Sequence, residues 1–267
     1  MDFKKRYGSW VLVTGASAGI GRAICYELAL KGLNVVAVAR NESALTELKT
    51  DLENRYSVQV FPIVLDLASE NFYEVILRET KTLDIGLVVP CAGEVYAGEF
   101  AKSDSSINKK IIDLNVSHPM LLVQAFVNKL IARKRGGVLF ISSTFGYQAV
   151  PYFANYAATK AYVLAFGEAL HVELARFGID VTTVSPGLTS TKMSQNLPID
   201  FKKMPIFEMS PQEVAKFSVA HLGKGMSAIP GFVNNMFVFS NKTVPRAFPV
   251  RLFGFLVRRG FNKGVIS

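Results

Sequence analysis

Residues 10–21 read WVLVTGASAGIG, a short apolar run followed directly by a loop that contains three glycines. The apolar part is typical of a buried strand, and a helical pattern begins inside the loop. Gly15 permits a tight turn, Gly19 lets the main chain approach a phosphate, and Gly21 lets the helix pack closely on the strand. An ordinary turn is the alternative, but the strand before it and the helix after it favour a dinucleotide site.

The same alternation of apolar runs and helical stretches continues through the first two thirds of the chain. Runs rich in Val and Ile, which predict strands, lie at residues 10–14, 34–39, 58–64, 85–89, 138–142 and 180–184. Stretches with a 3.6-residue period, which predict helices, lie at residues 20–31, 43–55, 68–81, 106–114, 120–133 and 156–177. Strands joined through helices form a parallel sheet that is covered on both faces. We therefore predict one α/β domain over residues 1–267: a doubly wound parallel sheet (Rossmann fold) of about seven strands, with ligands beyond the carboxyl ends of the strands.

The 267-residue chain is half hydrophobic and carries a net charge of +9, which is unevenly distributed. No acidic residue follows Glu213, whereas eight basic residues do. The basic character therefore belongs to the C-terminal third. No apolar run reaches the roughly 18 residues that span a bilayer, and the short polar N-terminus lacks a signal-peptide pattern. We expect a cytoplasmic protein.

The cysteines and histidines show no pattern of a structural or metal site. Cys25 and Cys91 are too few and too far apart for a disulfide framework. The histidines at positions 118, 171 and 221 have no metal-ligand spacing with each other or with the cysteines. We interpret them as surface or packing residues and predict no metal.

The end of the second predicted strand indicates which nucleotide the loop prefers. An acidic residue there would accept a hydrogen bond from the ribose 2′-hydroxyl of NAD, but the chain has Ala39 followed by Arg40. A guanidinium can bind a 2′-phosphate through two hydrogen bonds, and Ser17 is a second donor. We therefore predict NADP (NADPH) rather than NAD; the alternative is that Arg40 only ends a strand in solvent. After the third strand, Asp66 can accept from the adenine amino group, with Leu67 beside the ring.

Tyr156 and Lys160 open the longest helical stretch and share one helix face. A phenol titrates at about pH 10, and a nearby ammonium lowers that pKa, so Tyr156 can exchange a proton with an alkoxide near neutral pH. Ser143, at the end of the preceding strand, would orient a carbonyl oxygen and stabilise charge on it. Asn115, in a predicted helix, could hold a water that links Lys160 to solvent.

Together these motifs resemble the short-chain dehydrogenase/reductase family, in its single-domain branch, over roughly residues 8–192. The motifs that match in order and spacing are the glycine motif at 14–21, Asp66, Leu67, Ala92, Gly93, Asn115, Ser143, Tyr156, Lys160, Pro186 and Gly187. The resemblance implies that Tyr156 is the catalytic acid/base and that Lys160 binds the nicotinamide ribose and tunes it. It also implies that Ser143 positions the substrate and that Asn115 supports a proton relay.

The resemblance further implies how the chain would contact the cofactor. Pro186, Gly187 and Thr191 look like the segment that covers the nicotinamide and contacts its carboxamide. The full set of expected cofactor contacts is Gly15, Ser17, Ala18, Gly19, Ile20, Gly21, Arg40, Asp66, Leu67, Ala92, Gly93, Tyr156, Lys160, Pro186, Gly187 and Thr191.

One position departs from the family pattern. After the fourth predicted strand, the family's usual Asn-Asn-Ala-Gly is replaced by Pro90-Cys91-Ala92-Gly93. The family's Asn braces adjacent strands through its side-chain amide, whereas a thiol donates and accepts hydrogen bonds poorly. We expect a local structural change that keeps the approach of Gly93 to the cofactor, and a buried, inert thiol at Cys91 rather than a redox role.

The C-terminal third is expected to choose the substrate. Residues 193–211 hold three methionines, two phenylalanines and three prolines. They predict an apolar substrate lid, although an irregular surface loop fits them as well. Residues 245–267 combine aromatic and basic residues with no acidic one. This pattern fits a helix on an anionic membrane, a helix packed on a partner subunit, or a cap over the substrate cleft.

The leading hypothesis is an NADP(H)-dependent oxidoreductase that interconverts a carbonyl and a secondary alcohol. An apolar lid favours a lipid-, steroid- or aromatic-like substrate over a sugar. The alternative is a non-catalytic nucleotide-binding or membrane-surface scaffold of the same fold, against which the intact Ser143, Tyr156 and Lys160 argue. The resemblance implies a homo-dimer or homo-tetramer. Peripheral membrane contact through the C-terminus stays open, and the aromatic residues form no recognisable nucleic-acid-binding module.

Overall fold

A computed structural model describes residues 2–204 and 206–262. These residues form a seven-stranded parallel sheet in the order β3-β2-β1-β4-β5-β6-β7, with helices on both faces. The strands are β1 (Trp10–Thr14), β2 (Asn34–Ala39), β3 (Val60–Val64), β4 (Ile85–Val89), β5 (Gly136–Ile141), β6 (Ile179–Val184) and β7 (Ser227–Ala228). The helices are α1 (Phe3–Tyr7), α2 (Gly19–Leu30), α3 (Glu42–Tyr56), α4 (Phe72–Glu79), α5 (Ser105–Ile112), α6 (His118–Arg133), α7 (Ala154–Ala175), α8 (Lys192–Gln195), α9 (Pro211–His221), α10 (Phe232–Lys242) and α11 (Ala247–Gly260). The predicted doubly wound parallel sheet is confirmed.

The apolar character of the strands follows from burial on both faces of the sheet. Along β1, Val11 and Val13 pack into one core layer together with Ile24 of α2. Leu12 points to the opposite face and packs with Phe126 of α6. Because neither face is exposed to water, the strand reads as a continuous apolar run rather than as an alternating one.

The order of the strands reverses at β1. Val13 pairs with Ala37 of β2 on one side and with Val89 of β4 on the other, both in parallel register. The chain therefore leaves the sheet in opposite directions after β1 and after β4, which opens a crevice at the carboxyl ends of these strands. Both the glycine-rich loop and the loop that contains Gly93 begin at this crevice.

The predicted helices at 106–114 and 120–133 are in fact parts of one continuous helical segment. α5 runs into a π-helical turn at Asp113–Ser117, which leads directly into α6. The N–H of His118 donates to the carbonyl of Asp113, five residues earlier. Such a turn carries an extra residue within the helix and is frequent at functional sites. It is here that Asn115 lies.

Other predicted boundaries shift by a few residues, and some elements were not predicted. α4 is shorter than the predicted 68–81 because Asp66 holds the preceding turn, its carboxylate accepting from the N–H of Ala68 at 3.1 Å. The sequence does not predict β7, α1, α8, α9 or α10. Yet α9 begins with a capping box in which Ser210 and Glu213 satisfy each other's N–H groups. That motif is readable in the sequence.

The C-terminal third folds back over the end of the sheet rather than extending from it. Phe253 and Val257 of α11 are buried against Ile199 and Met204 of the predicted lid. The N–H of Asp200 donates to the carbonyl of Gly260 at 2.8 Å, and Ile199 forms a bridge with Phe261. Pro205 of the predicted lid and residues 263–267 of the C-terminal segment lie outside the described residues. No helix among residues 2–204 and 206–262 combines the length and the hydropathy of a bilayer-spanning segment.

Candidate active site

The glycine-rich turn after β1 depends on the absence of side chains. Gly15 and Gly19 adopt φ values of +68° and +55°, which favour glycine. A Cβ at Gly15 would lie 2.9 Å from the Cα of Ala92, in the loop after β4. A Cβ at Gly21 would collide with the carbonyl oxygen of Gly15. The turn therefore presents bare main chain and the N-terminus of α2 to the crevice, as a pyrophosphate requires.

The loop after β4 is braced by Thr14 of β1, a contact that is not predicted from the sequence. The hydroxyl of Thr14 accepts hydrogen bonds from the N–H groups of Cys91 and Ala92 at 3.0 and 3.3 Å. A side chain of β1 thus ties the two strands together where the family's Asn would act. Burial raises the pKa of the Cys91 thiol to about 12, although Lys160 opposes that shift. The thiol is therefore not a nucleophile near neutral pH.

A cleft of about 450 Å³ lies beside the glycine-rich turn. Its lining consists of Gly15, Ser17, Ala39, Arg40, Asn41, Leu65, Asp66, Leu67, Ala92, Gly93 and Leu114. All four residues expected at the adenosine end, Ser17, Arg40, Asp66 and Leu67, lie in this cleft. Arg40 is exposed, and no acidic residue of the described chain forms an ion pair with it. Its guanidinium is thus available to an anionic group, and the lining fits a nucleotide.

A second, larger cavity of about 820 Å³ shares Gly15, Ala92 and Gly93 with the nucleotide cleft. Ser143, Tyr156 and Lys160 line it. The remaining residues predicted to contact the cofactor on this side also line it: Ala18, Gly19, Ile20, Gly21, Pro186, Gly187 and Thr191. The shared glycine-rich wall makes the two spaces one continuous groove, which leads from the exposed Arg40 to the half-buried Tyr156.

Tyr156, Lys160 and Ser143 meet where β5 ends and α7 begins. The ammonium of Lys160 lies 5.7 Å from the centre of the Tyr156 ring and donates to the carbonyl oxygen of Ile141 at 3.0 Å. The hydroxyl of Ser143 accepts from the N–H of Phe145 at 3.2 Å. Ser143 also lowers the pKa of the Tyr156 phenol through a hydrogen-bonding effect. The spacing of four residues therefore produces the predicted neighbours.

The titration of this group differs from the prediction. Burial raises the pKa of Tyr156 to about 12, and Ser143 only partly opposes the increase. The expected lowering by Lys160 is not found. Desolvation of the ammonium lowers the pKa of Lys160 to about 8, and the ammonium donates to a main-chain carbonyl. Desolvation thus outweighs the charge effect that the spacing predicts, and Tyr156 carries its proton at neutral pH.

Asn115 occupies the π-helical turn and is buried. Its amide oxygen accepts from the N–H of Glu94 at 2.9 Å, and its amide nitrogen donates to the Glu94 carbonyl at 2.9 Å and to the Thr159 hydroxyl at 3.0 Å. The Thr159 hydroxyl in turn donates to the carbonyl of Tyr156 at 2.7 Å. The side chain therefore joins the loop after β4 to the catalytic helix. Since its amide groups are engaged in this way, a relay water at this position would have to bind the main chain.

The segment after β6 closes over the glycine-rich turn. Thr191 caps α8 by accepting from the N–H of Ser194 at 3.3 Å, and its methyl group would be 3.2 Å from a Cβ at Gly19. Asn234 of α10 packs so tightly on Gly187 that a Cβ there would be 2.5 Å from its amide oxygen. Asn234 lines the large cavity and was not predicted. No sequence motif predicts the role of Asn234, because its position depends on how α10 packs.

Much of the rest of the large cavity is walled by the lid and by the C-terminal helices. The apolar residues of this wall are Met193, Leu197, Phe201, Met204, Ile206, Phe207, Val233, Met236, Phe237, Leu252, Phe253, Leu256 and Val257. The rings of Phe237 and Phe253 pack edge to face, with centres 4.7 Å apart. Residues of the predicted lid and of the C-terminal segment therefore both line the cavity.

Cys25 and the three histidines lie outside this site, whereas Cys91 lines the large cavity. Within the described residues, no group of three or more His, Cys, Asp or Glu side chains is placed to hold a metal ion. His118 is buried against Phe72, His171 faces the carbonyl of Val181 at 2.7 Å, and His221 stacks on a neighbouring ring.

The fold, the glycine cradle and the Ser-Tyr-Lys group define a nicotinamide-dependent oxidoreductase. A family model described as short chain dehydrogenase matches residues 9–201. A very-long-chain 3-oxoacyl-CoA reductase-like protein of Arabidopsis thaliana is 37% identical over 249 residues, which are 90% of this chain and 78% of that protein. The chain belongs to the short-chain dehydrogenase/reductase family, and it is an oxidoreductase of the carbonyl/alcohol type.

Solved structures agree with this assignment. The structure of a 7β-hydroxysteroid dehydrogenase is similar with a TM-score of 0.86 at 26% identity, over 95% of this chain and 100% of that chain. A short-chain dehydrogenase from Sphingobium yanoikuyae in complex with NADPH has a TM-score of 0.79 at 26% identity, over 88% of this chain and 93% of that chain. Both similarities extend beyond the region of the family model, which ends at residue 201.

Proposed function

We propose that the protein is an NADP(H)-dependent oxidoreductase that interconverts a carbonyl and a secondary alcohol on an apolar substrate. The observation that carries the proposal is the continuity of the groove. A cavity with apolar walls ends at Ser143 and Tyr156, and it shares its glycine-rich wall with a cleft that contains Arg40. A substrate and a nucleotide can therefore meet at one proton donor.

The preference for NADP rests on the adenosine end of the groove. β2 ends in Ala39, so no carboxylate is offered there to a ribose 2′-hydroxyl, and the exposed guanidinium of Arg40 follows directly. A guanidinium binds phosphate oxygens through paired, charge-assisted hydrogen bonds. Ser17 lines the same cleft and supplies a further donor. The NADPH complex of the Sphingobium relative supports the same choice.

The chain's own residues would handle the proton and the substrate oxygen. The bound nicotinamide supplies the hydride for reduction, or accepts it in the reverse direction. During reduction Tyr156 donates its proton to the substrate oxygen, since its raised pKa keeps it protonated at neutral pH. Ser143 hydrogen-bonds the same oxygen and stabilises the charge that develops on it. Lys160 stabilises the phenolate that remains, and Asn115 holds the catalytic helix in position.

The walls of the cavity support an apolar substrate. Phe237, Phe253 and Leu256 offer no hydrogen-bond partners to the hydroxyl groups of a sugar, which would lose their hydration on entering. The names of two relatives, a very-long-chain 3-oxoacyl-CoA reductase-like protein and a 7β-hydroxysteroid dehydrogenase, agree with this class. We propose a lipid-like or steroid-like ketone or alcohol rather than a small polar carbonyl.

Two measurements on the purified full chain test the proposal. NADPH and NADH oxidation is measured over ketones graded by chain length and ring content, with sugars as the polar comparison. We expect NADPH to be preferred and kcat/KM to increase with apolar size. Arg40→Gln should weaken NADPH binding by at least roughly tenfold, because a bidentate charged contact is lost, and should change NADH binding little. Equal loss for both nucleotides would contradict the role of Arg40, and faster turnover of sugars would contradict the substrate class.

A further inference from the structure

The outer face of α10 presents large apolar side chains to solvent. Phe232, Met236 and Phe239 are spaced four and three residues apart, so they align on one side of the helix. Phe232 is 81% exposed and Phe239 is 69% exposed. The opposite side of the helix is anchored, with Val238 buried and Phe237 packed into the wall of the large cavity. The helix is thus held in place with an unusually apolar outer face.

α11 repeats this arrangement. Phe248, Leu252 and Phe255 have the same spacing and lie on one exposed side, where Phe248 is 60% exposed and Phe255 is 57% exposed. Phe253 and Val257 point the other way and are buried. An amphipathic helix that packs one apolar side into the protein normally exposes polar residues on the other. Here the exposed side is apolar and basic instead.

The two exposed stripes meet at the mouth of the large cavity. Met236 and Leu252 belong to the stripes and also line the cavity. The exposed apolar residues that line the cavity, and so form its rim, are Met193, Phe207, Val233, Met236 and Leu252. The rim therefore receives residues from the lid, from α10 and from α11. Contiguous exposed apolar surface of this kind marks an interaction site.

The charges on this face indicate what kind of partner it binds. Arg246, Arg251 and Arg259 are exposed on or beside α11, and the guanidinium of Arg259 lies 5.5 Å from the centre of the Phe255 ring. No acidic residue follows Glu213 in the chain. A second copy packed on this face would bring like charges together with no acidic residue of these helices to oppose them. An anionic lipid surface provides both the apolar phase and the complementary charge.

We propose that α10 and α11 dock the protein on an anionic lipid bilayer, with the cavity rim facing the lipid. The stripe residues would enter the interface between headgroups and acyl chains, and the arginines would contact anionic headgroups. An apolar molecule dissolved in the bilayer could then enter the cavity without crossing water. The docking does not depend on the reaction, so vesicle binding and turnover are measured separately.

The test uses the full chain, saturated with NADPH, and sedimentation with vesicles of phosphatidylcholine alone or with phosphatidylglycerol. We expect binding to the anionic vesicles that decreases as salt is raised. The double variant Phe239→Ser/Phe255→Ser removes two stripe residues that do not line the cavity. It should bind at least about tenfold more weakly, because two aromatic side chains that would be buried in the lipid are lost. Arg251→Gln should weaken binding by about fivefold, and only to anionic vesicles.

Phe100→Ser is the matched control, since Phe100 is 67% exposed but lies far from α10 and α11 in the chain. It should bind vesicles as the unchanged protein does. All variants should reduce a water-soluble ketone at the unchanged rate, and the double variant should be slower only with substrate delivered in vesicles. Absence of binding to anionic vesicles would overturn the proposal, as would full binding by the double variant. A concentration-dependent dimer that the double variant abolishes would instead assign the face to a second copy.

Discussion

The nucleotide groove around the glycine-rich turn at Gly15 and the apolar wall of the large cavity are shaped by different parts of the chain. In the groove the main chain determines the shape: Gly15 has a positive φ, and a Cβ there would lie 2.9 Å from the Cα of Ala92. In the wall, side chains fill the space, as where Phe237 and Phe253 pack with their ring centres 4.7 Å apart. A tight main-chain turn accepts few residue types, whereas an apolar wall accepts many of similar volume. We therefore expect changes in the groove to affect every substrate and changes in the wall to affect some.

The largest effect is expected from Tyr156→Phe, which removes the proton donor shared by all substrates. Turnover should decrease by about 10³-fold, within the range for loss of a general acid, whereas the NADPH dissociation constant should change by less than about twofold. Initial rates and fluorescence titration measure the two quantities. Tyr162→Phe is the control, because Tyr162 lies on the same helix and is exposed. If the Tyr156→Phe variant keeps more than about a tenth of the normal turnover, Tyr156 is not the proton donor.

The next effect is expected from Gly15→Ala in the groove. The new methyl group combines a strained φ of +68° with close contact to Ala92, so NADPH binding should weaken by roughly 10- to 100-fold. The ratio of kcat/KM between a long and a short ketone should not change, because the wall is untouched. Gly225→Ala serves as the control, since none of the described residues other than its chain neighbours comes within 4 Å of the position that its Cβ would take. A changed substrate ratio would show that groove and wall are not separable.

A smaller and more selective effect is expected from Phe253→Ala in the wall. Loss of this buried ring enlarges the cavity and loosens the contact with Phe237, so KM for a long apolar ketone should increase by about tenfold. The NADPH dissociation constant and the rate with a short ketone should stay within about twofold of normal. Phe100→Ala, at an exposed position, controls for loss of a ring as such. Weaker NADPH binding by Phe253→Ala would instead show that α11 helps to hold the nucleotide groove in shape.

This difference also explains how much could be predicted from the sequence. The groove was predictable because its determinants are local: the glycines at 15, 19 and 21 follow one strand, and Tyr156 and Lys160 share one helix turn. The bracing by Thr14 is not predictable from the family pattern at position 91, because it comes from a side chain of β1. The wall was predictable only as apolar, since which residues line it depends on how α10 and α11 pack.

Two details of the site required the structure for a physical reason. The pKa of Tyr156 was expected to be low, yet burial raises it to about 12, and spacing along a helix contains no information on desolvation. Asn234 reaches Gly187 only because α10 crosses the segment after β6, a contact between residues distant in the chain. Asn115 is likewise predicted to lie in a helix, and it does. The π-helical turn that determines its position cannot be predicted from the periodicity of the sequence.

The smallest effect is a dependence on pH that both regions should share. Burial lowers the pKa of Lys160 to about 8, so the ammonium is present below that pH and is lost as the pH rises through it. Tyr156 keeps its proton over this range because its pKa is about 12. For reduction, kcat/KM should therefore decrease by roughly fivefold between pH 7 and pH 8.6 as the charge that stabilises the phenolate is lost. The decrease should have the same midpoint in Phe253→Ala, since the wall does not contact Lys160. Lys160→Arg, which stays charged, should be less active but lose the decrease; a decrease that persists in this variant would assign the titration to another group.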